Sequence, residues 1–250
     1  MKNFKYLDDL IHSGIKEIIL DSEIVLDYDE ESEYSEGIRL DVDEIVINGN
    51  GHSIDAKGMA RIFNITGKNI FIYNIKFRNG FAITNGGAIM IDDASVAFHN
   101  ALFHNNASKY NGGAIFNKNG SLDIIGSDLF GNSSKNNGGA IFSQDGEVNV
   151  IRCSLFRNDS TRAAAIYLNC ADLNVTESRF HHNHSKKTGG AIRAIDGDIK
   201  VSGCDFAENS AEYGAAIYLF DGRLEIVNSN FICNSVEKEG GAIYGYRGKS

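Results

Sequence analysis

Gly86-Gly87-Ala88-Ile89, Gly112-Gly113-Ala114-Ile115 and Gly138-Gly139-Ala140-Ile141 are three copies of one tetrapeptide. Four more follow, as Ala163-Ala164-Ala165-Ile166, Gly189-Gly190-Ala191-Ile192, Gly214-Ala215-Ala216-Ile217 and Gly240-Gly241-Ala242-Ile243. The starts are separated by 26, 26, 25, 26, 25 and 26 residues. A fixed period of this size is the mark of a repeat architecture, in which each unit buries its apolar face against its neighbours.

Other columns keep the same period. Apolar residues two apart recur as Val96/Phe98, Leu122/Ile124, Val148/Val150, Leu173/Val175, Ile199/Val201 and Leu224/Ile226. Two is the strand period, so both members face one side. A small column follows (Ala101, Ser127, Cys153, Ser178, Cys204, Ser229), and two residues later a large apolar one (Phe103, Leu129, Leu155, Phe180, Phe206, Phe231). Three residues beyond that the chain always carries Asn: Asn106, Asn132, Asn158, Asn183, Asn209 and Asn234.

Each unit thus holds three short strand patterns and no helical one. A propeller blade needs about 40–50 residues and does not fit. A coil of three short strands does. The fold expected is all-β, a right-handed parallel β-helix of the pectin-lyase-like kind with about 25–26 residues per coil and eight or nine coils. Stacking at about 4.8 Å then places like residues over like residues. The Asn column becomes a structural ladder of hydrogen-bonded amides, at a corner where Asn tolerates a left-handed backbone. The complete absence of proline agrees with nearly continuous pairing.

Residues 1–44 form an N-terminal cap in this reading and 45–250 the coils. Phe4, Leu7, Leu10 and Ile11 have helical spacing, with Gly14 placed to end the helix. Ile15–Leu20 and Ile24–Leu26 have strand character, as do Ile45–Ile47, Ile62–Ile65 and Ile70–Ile72; Phe77 already stands in the large apolar column, with Gly80 where Asn later recurs. Residues 21–44 concentrate the net charge of −9, with eleven acidic side chains against Arg39 alone. This disfavours nucleic acid as a partner, because nucleic acid calls for a basic stripe. The run Asp27–Glu33 offers carboxylates to a divalent cation, but its spacing is that of a solvated loop and not of a calcium loop.

Four cysteines make no disulfide framework. Cys153 and Cys204 lie two coils apart in one column, about 10 Å at strand spacing, beyond bridging reach. Residues 1–9 lack the apolar run of a secretory signal, and no stretch has the length of a membrane span. The chain stops within a coil at Tyr244–Arg247, so further C-terminal coils or another domain are expected.

Gly-Gly-Ala-Ile paired with Phe-x-x-Asn resembles the repeat of chlamydial polymorphic outer membrane proteins. Gly37–Leu40, Ile47–Asp55 and Arg61–Ile65 resemble adhesin-like β-helix proteins of methanogenic archaea. The resemblance spans roughly residues 37–244. It implies a secreted or cell-surface location and a non-enzymatic binding or display role, with a glycan or protein as partner and no cofactor. The lack of a signal or anchor departs from that pattern.

Enzymes of this fold that act on acidic polysaccharides are the alternative, and they need clustered carboxylates. Asp92-Asp93 is the one candidate pair, and the motifs that accompany such a pair in β-helix glycosidases are missing; an exposed acidic turn is the expectation. His181, His182 and His184 are the densest group of metal-capable side chains, but neighbouring residues of a strand point apart and no third or fourth ligand is evident, so no metal is expected. The position after each repeat tetrapeptide holds Met90, Phe116, Phe142, Tyr167, Arg193, Tyr218 and Tyr244. If the Ile column faces inward, Phe116, Phe142, Tyr167, Tyr218 and Tyr244 face outward as an aromatic stripe suited to flat sugar rings or a protein partner. Among the Asn-x-Ser/Thr sequons, the four at Asn106, Asn132, Asn158 and Asn183 fall on the ladder and are incidental; Asn64 is another, and Asn174, between inward Leu173 and Val175, is read as accessible.

Overall fold

The computed structural model describes residues 2–247; the last three residues of the 45–250 segment lie outside that range. The chain is a parallel β-solenoid of nine stacked coils. Following one coil from the repeat tetrapeptide, the first sheet contains Ile89–Asp92, the second Ser95–His99 and the third Leu102–His104. These three sheets have nine strands each. Every step pairs a strand with its counterpart one coil on, as in Ile89↔Ile115, Val96↔Leu122 and Phe103↔Leu129. The sheets start within residues 1–44, since Glu17–Ile19, Ile24–Val25 and Ile38–Leu40 already pair into them.

A fourth sheet of seven strands was not visible in the sequence pattern. It starts as the two-residue strands Phe81–Ala82, Ala107–Ser108 and Ser133–Ser134, and lengthens to His184–Thr188 and Ser235–Glu239. In its first six strands the inward residues are Ala82, Ser108, Ser134, Ser160, Ser185 and Ala211, all buried and none large, and Val236, opposite Ala211 in the seventh, is half-buried. Three strands per coil therefore becomes four because the fourth carries no apolar alternation to read.

Each coil turns at residues with left-handed backbone. In one coil these are Asp93, Asn100, Asn105 and Gly112, with φ of 51°, 49°, 56° and 64°. The left-handed residue at the Asn corner is the one before the ladder: Asn79, Asn105, Arg157, His182, Glu208 and Cys233, with Gly131 in the coil between. The ladder Asn is thus selected for its amide and not for a left-handed φ. At the tetrapeptide the second glycine is needed for approach: a Cβ on Gly113 would collide with the carbonyl oxygens of Gly139 and Ser133. Ala163 holds the first-glycine position at φ 54°, a conformation that disfavours any residue with a Cβ.

The interior is one continuous cluster running from Phe4 to Leu219. Ile89, Ile91, Phe98, Leu122, Ile124, Leu129 and Phe180 are fully buried, so the paired columns and the large apolar column all point inward. The small column is more than filler. Ala101 N–H donates to Ser127 Oγ (2.9 Å), Cys153 N–H to Ser178 Oγ (3.0 Å), and Cys204 N–H to Ser229 Oγ (3.0 Å). Cys153 and Cys204 take the intervening N–H groups of Ser127 and Ser178 on sulfur, each at 3.5 Å. Burial raises both thiols, Cys153 to about 11, and all four cysteines are free.

The helix Phe4–Ile11 closes one end of the stack. Phe4, Leu7 and Ile11 are buried against the first coil, and Asn3 caps the helix by accepting from Tyr6 N–H. Glu30 of the acidic segment is itself 8 % exposed. Its carboxylate accepts from Phe4 N–H (3.3 Å), Lys5 N–H (3.1 Å) and Asp27 N–H (3.2 Å). A carboxylate at a helix N-terminus satisfies otherwise unpaired donors and meets the positive end of the helix dipole.

Candidate functional site: side-chain columns of the coils

Because like residues stack, any site on this molecule is a column. The Asn column is a closed hydrogen-bond ladder. Asn132 Oδ1 accepts from Asn106 N–H (3.1 Å) and Asn106 Nδ2 (3.0 Å), while Asn132 Nδ2 donates to Phe103 O (3.0 Å) and Asn158 Oδ1 (3.1 Å). Asn158, Asn183 and Asn209 repeat the pattern, and Asn234 Oδ1 ends it by accepting from Asn209. The ladder extends one coil earlier, where Gly80 N–H donates to Asn106 Oδ1 (2.8 Å).

The ladder also explains the sequons. Two residues after each of Asn106, Asn132, Asn158 and Asn183 comes an inward Ser of the fourth sheet. Ser134, Ser160 and Ser185 donate to the carbonyls of Asn137 (3.0 Å), Arg162 (2.8 Å) and Thr188 (3.0 Å), closing the turn that follows. The four Asn side chains are 0–1 % exposed, so Asn-x-Ser here is packing. Asn174 is half-buried on the outer face of the second sheet and donates to Asn149 Oδ1 (2.9 Å). Asn64 is half-buried in the column that later holds the aromatics.

That aromatic column lies outside the core, as alternation requires, but it is not an open stripe. Phe116 and Phe142 stack at 5.1 Å with planes 2° apart, and Phe142 and Tyr167 at 5.1 Å and 11°. The Arg193 guanidinium carbon sits 5.5 Å from the Tyr167 ring centroid and 4.8 Å from that of Tyr218, and Tyr218 stacks on Tyr244 at 5.2 Å. Phe116, Phe142 and Tyr167 are only 5–7 % exposed and form a satellite cluster with Ala163, Met90 and Ile195. Tyr218 and Tyr244 are half-buried. The expectation of a solvent-facing stripe for stacking sugars is corrected on this point. One coil spacing is close to ring-stacking distance, so each ring covers its neighbour's face and only edges remain to meet a partner.

A second ring ladder was missed. His104, Phe130, Phe156 and His181 follow the large apolar column by one residue and stack on the outer face of the third sheet at 5.3, 4.9 and 4.8 Å. Its signal was present in the sequence, where His104 and His181 share a column that Phe130 and Phe156 fill between them. Burial lowers the pKa of His104 and of His181, with Arg78 adding to the first and His182, Arg157 and Arg179 to the second. His182 reaches Glu208 through Nε2 (2.7 Å), and His184 reaches Ser210 Oγ through Nδ1 (2.9 Å). His181 and His182 also meet, their Nδ1 atoms 3.2 Å apart and their rings edge to face, so that only His184 stands apart from the other two.

The remaining candidates do not converge. Asp92 pairs with Lys118 at 3.1 Å, and Asp93 is an exposed left-handed corner. Among the described residues no three His, Cys, Asp or Glu side chains come together as metal ligands do, and no helix is long and apolar enough to cross a membrane.

Stacked coils, interior amide and hydroxyl ladders and repeating outer columns define a β-helix repeat protein. The profile of the Chlamydia polymorphic membrane protein repeat matches residues 100–118 and 127–144, two consecutive coils that include Asn106, Asn132, Phe116 and Phe142. No curated protein matches the chain in sequence. A solved structure similar to it is the L. reuteri 53608 SRRP, at 13 % identity and a TM-score of 0.48 over 99 % of this chain and 98 % of that one.

Proposed function

We propose that this chain is a non-enzymatic, adhesin-like β-helix of the right-handed, pectin-lyase-like kind, displayed at a cell surface and binding a glycan or protein partner there. The match of two successive coils to a repeat of a membrane-protein family carries the reading. The geometry agrees with it: the outer faces offer long repeated columns, which suit extended contact better than a catalytic cleft. Within the aromatic column, Tyr218 and Tyr244 are the members with edge and hydroxyl free to reach a partner, while Phe116, Phe142 and Tyr167 support them from below. Such a solenoid has its natural place within a larger surface protein that supplies the anchor and further coils.

Fluorescently labelled chain applied to a glycan array and to whole cells tests this. Binding is expected, and Tyr218→Ser with Tyr244→Ser should weaken it at least about tenfold, or 1.4 kcal/mol, with a melting temperature within a few degrees of the parent. Tyr167→Ser, which opens a gap beneath the stack, should lower the melting temperature instead. Absence of binding to every surface would remove the adhesion reading. Undiminished binding by the double variant would remove the aromatic column from it.

A further inference from the structure

His181 ends a strand of the third sheet, and His184 begins the next strand, in the fourth. The corner between them holds His182. Successive residues of a strand point apart, and the sequence expectation of no metal rests on that rule. His182 does not obey it, because its backbone is left-handed, with φ 57°. The two rings meet edge to face, and their Nδ1 atoms lie 3.2 Å apart. Each ring is also held from behind. His182 Nε2 lies 2.7 Å from Glu208 Oε2, and His181 Nε2 lies 3.4 Å from Ser154 Oγ. His181 further stacks on Phe156 with planes 5° apart. His184 takes no part, since its Nδ1 is bonded to Ser210 Oγ.

These partners fix where the protons sit. A carboxylate only accepts, so His182 carries its proton on Nε2 and, as a neutral imidazole, presents a bare Nδ1. His181 is lowered below the ordinary 6.5 by burial first, then by His182, Arg157 and Arg179, so at neutral pH it too is in the form that binds metals. With its proton on Nε2, facing the Ser154 hydroxyl, its Nδ1 lone pair meets that of His182. Such an arrangement calls for a cation between the two nitrogens. At a Zn–N length of about 2.05 Å, a 3.2 Å separation subtends about 103° at the ion, close to the tetrahedral angle. A square-planar ion would need the nitrogens about 2.9 Å apart. Arg157 and Arg179 oppose a cation here, and the Glu208 carboxylate on the far side of His182 offsets them. A carboxylate behind a ligating imidazole fixes its tautomer and strengthens it as a ligand. His182 is exposed, so the other two positions of a tetrahedron open to water.

We propose that His181 and His182 chelate a zinc ion through their Nδ1 atoms, with Glu208 and Ser154 as the outer partners of the two rings and water completing the tetrahedron. The site is independent of the aromatic column, so its fate leaves the adhesion reading as it stands. The test is equilibrium dialysis of the full chain against zinc chloride, with bound metal read by atomic absorption. One zinc per chain is expected. His181→Phe and His182→Asn should each lower the affinity at least about tenfold. Both replacements are residues that other coils carry at the same positions, as Phe156 and Asn105, so the fold is kept; an unchanged melting temperature checks this. Glu208→Gln, which touches the ion only through His182, should weaken binding by about tenfold or more. His184→Asn should leave it unchanged. Nitrogen-15 imidazole NMR should show zinc shifting Nδ1, not Nε2, of both residues. The proposal is overturned if no zinc is retained, if the His181 or His182 variants bind as the parent does, or if Nε2 carries the metal. An equal loss in His184→Asn also overturns it, because zinc is then held by a loose surface group of histidines.

Discussion

Phe206 and Phe231 occupy the same position in consecutive coils and face each other across paired strands, their rings 4.9 Å apart. Phe206 is fully buried and Phe231 only partly so. The same contrast separates Ile217 from Ile243, 0 % against 37 % exposed, and Asn209 from Asn234. At the other end, Phe4, Leu7 and Ile11 of the helix cover the first coil, and residues such as Ile24 and Ile38 are fully buried. A coil of this protein does not own its core; part of each layer's burial comes from whatever stacks on it.

Removing the same ring in both settings measures how much of a layer's hold comes from its cover. Phe180→Ala lies mid-stack between Leu155 and Phe206 and should cost about 3–5 kcal/mol, the usual range for a cavity left by a buried Phe. Phe231→Ala removes a ring that already meets solvent, and should cost less than half as much. Chemical denaturation of both variants decides the matter, and equal losses would mean that the exposed coil is as tightly held as the interior ones.

The ladder supplies a smaller effect of the same form. Asn183→Ala strips Asn158 N–H and Nδ2 of their acceptor and Leu155 O of a donor. Unsatisfied buried groups at that site should cost about 1–3 kcal/mol. In Asn234→Ala the residue lost is half-buried, so water can take its place and the loss should be smaller. A change below a few tenths of a kcal/mol for Asn183→Ala would show that the amides stack without bonding.

Most of this architecture could be read from the sequence, because strand period, coil length and the ladder each repeat their own signal. Phe103, Leu129 and Asn132 were placed correctly from spacing alone. The misses share a cause. The fourth sheet packs Ser134 and Ser160 inward, and their hydroxyls serve turn carbonyls; a polar inward residue looks like a loop in the sequence. The left-handed corner residue varies freely among Asn105, Arg157 and Glu208, so no composition marks it, and the constant Asn beside it drew the assignment one position too far. For Phe116, Phe142 and Tyr167, alternation gave the direction of the side chains but not their accessibility. Accessibility is set by what stacks above and below, which is a property of the assembled coils.

The smallest expected effect sets the cap against the outer ring ladder through their histidines. His12, beside the capping helix, has its pKa raised above the ordinary 6.5, first by the hydrogen bond to Asp41 (3.0 Å) and further by Asp8. His104 and His181, at the two ends of the ring ladder, are lowered below 6.5, mainly by burial. The two shifts act on stability in opposite directions. The folded cap holds a proton that the unfolded chain releases, so the His12 contribution is complete below pH 6.5 and fades as the pH rises through the folded value. The ladder histidines resist protonation when folded, so their contribution is complete above pH 6.5 and fades as the pH falls through their lowered values. Both settings are partly open to water, which keeps the effects modest. Imidazole NMR titration should place His12 on one side of the unperturbed value and His104 and His181 on the other. His12→Asn should flatten the alkaline side of the stability profile, and His181→Asn the acid side. If all three titrate together near 6.5, the cap contacts and the ring ladder are looser in solution than their distances indicate, and the contrast between covered and open parts of the solenoid would have to rest on the Phe and Asn variants alone.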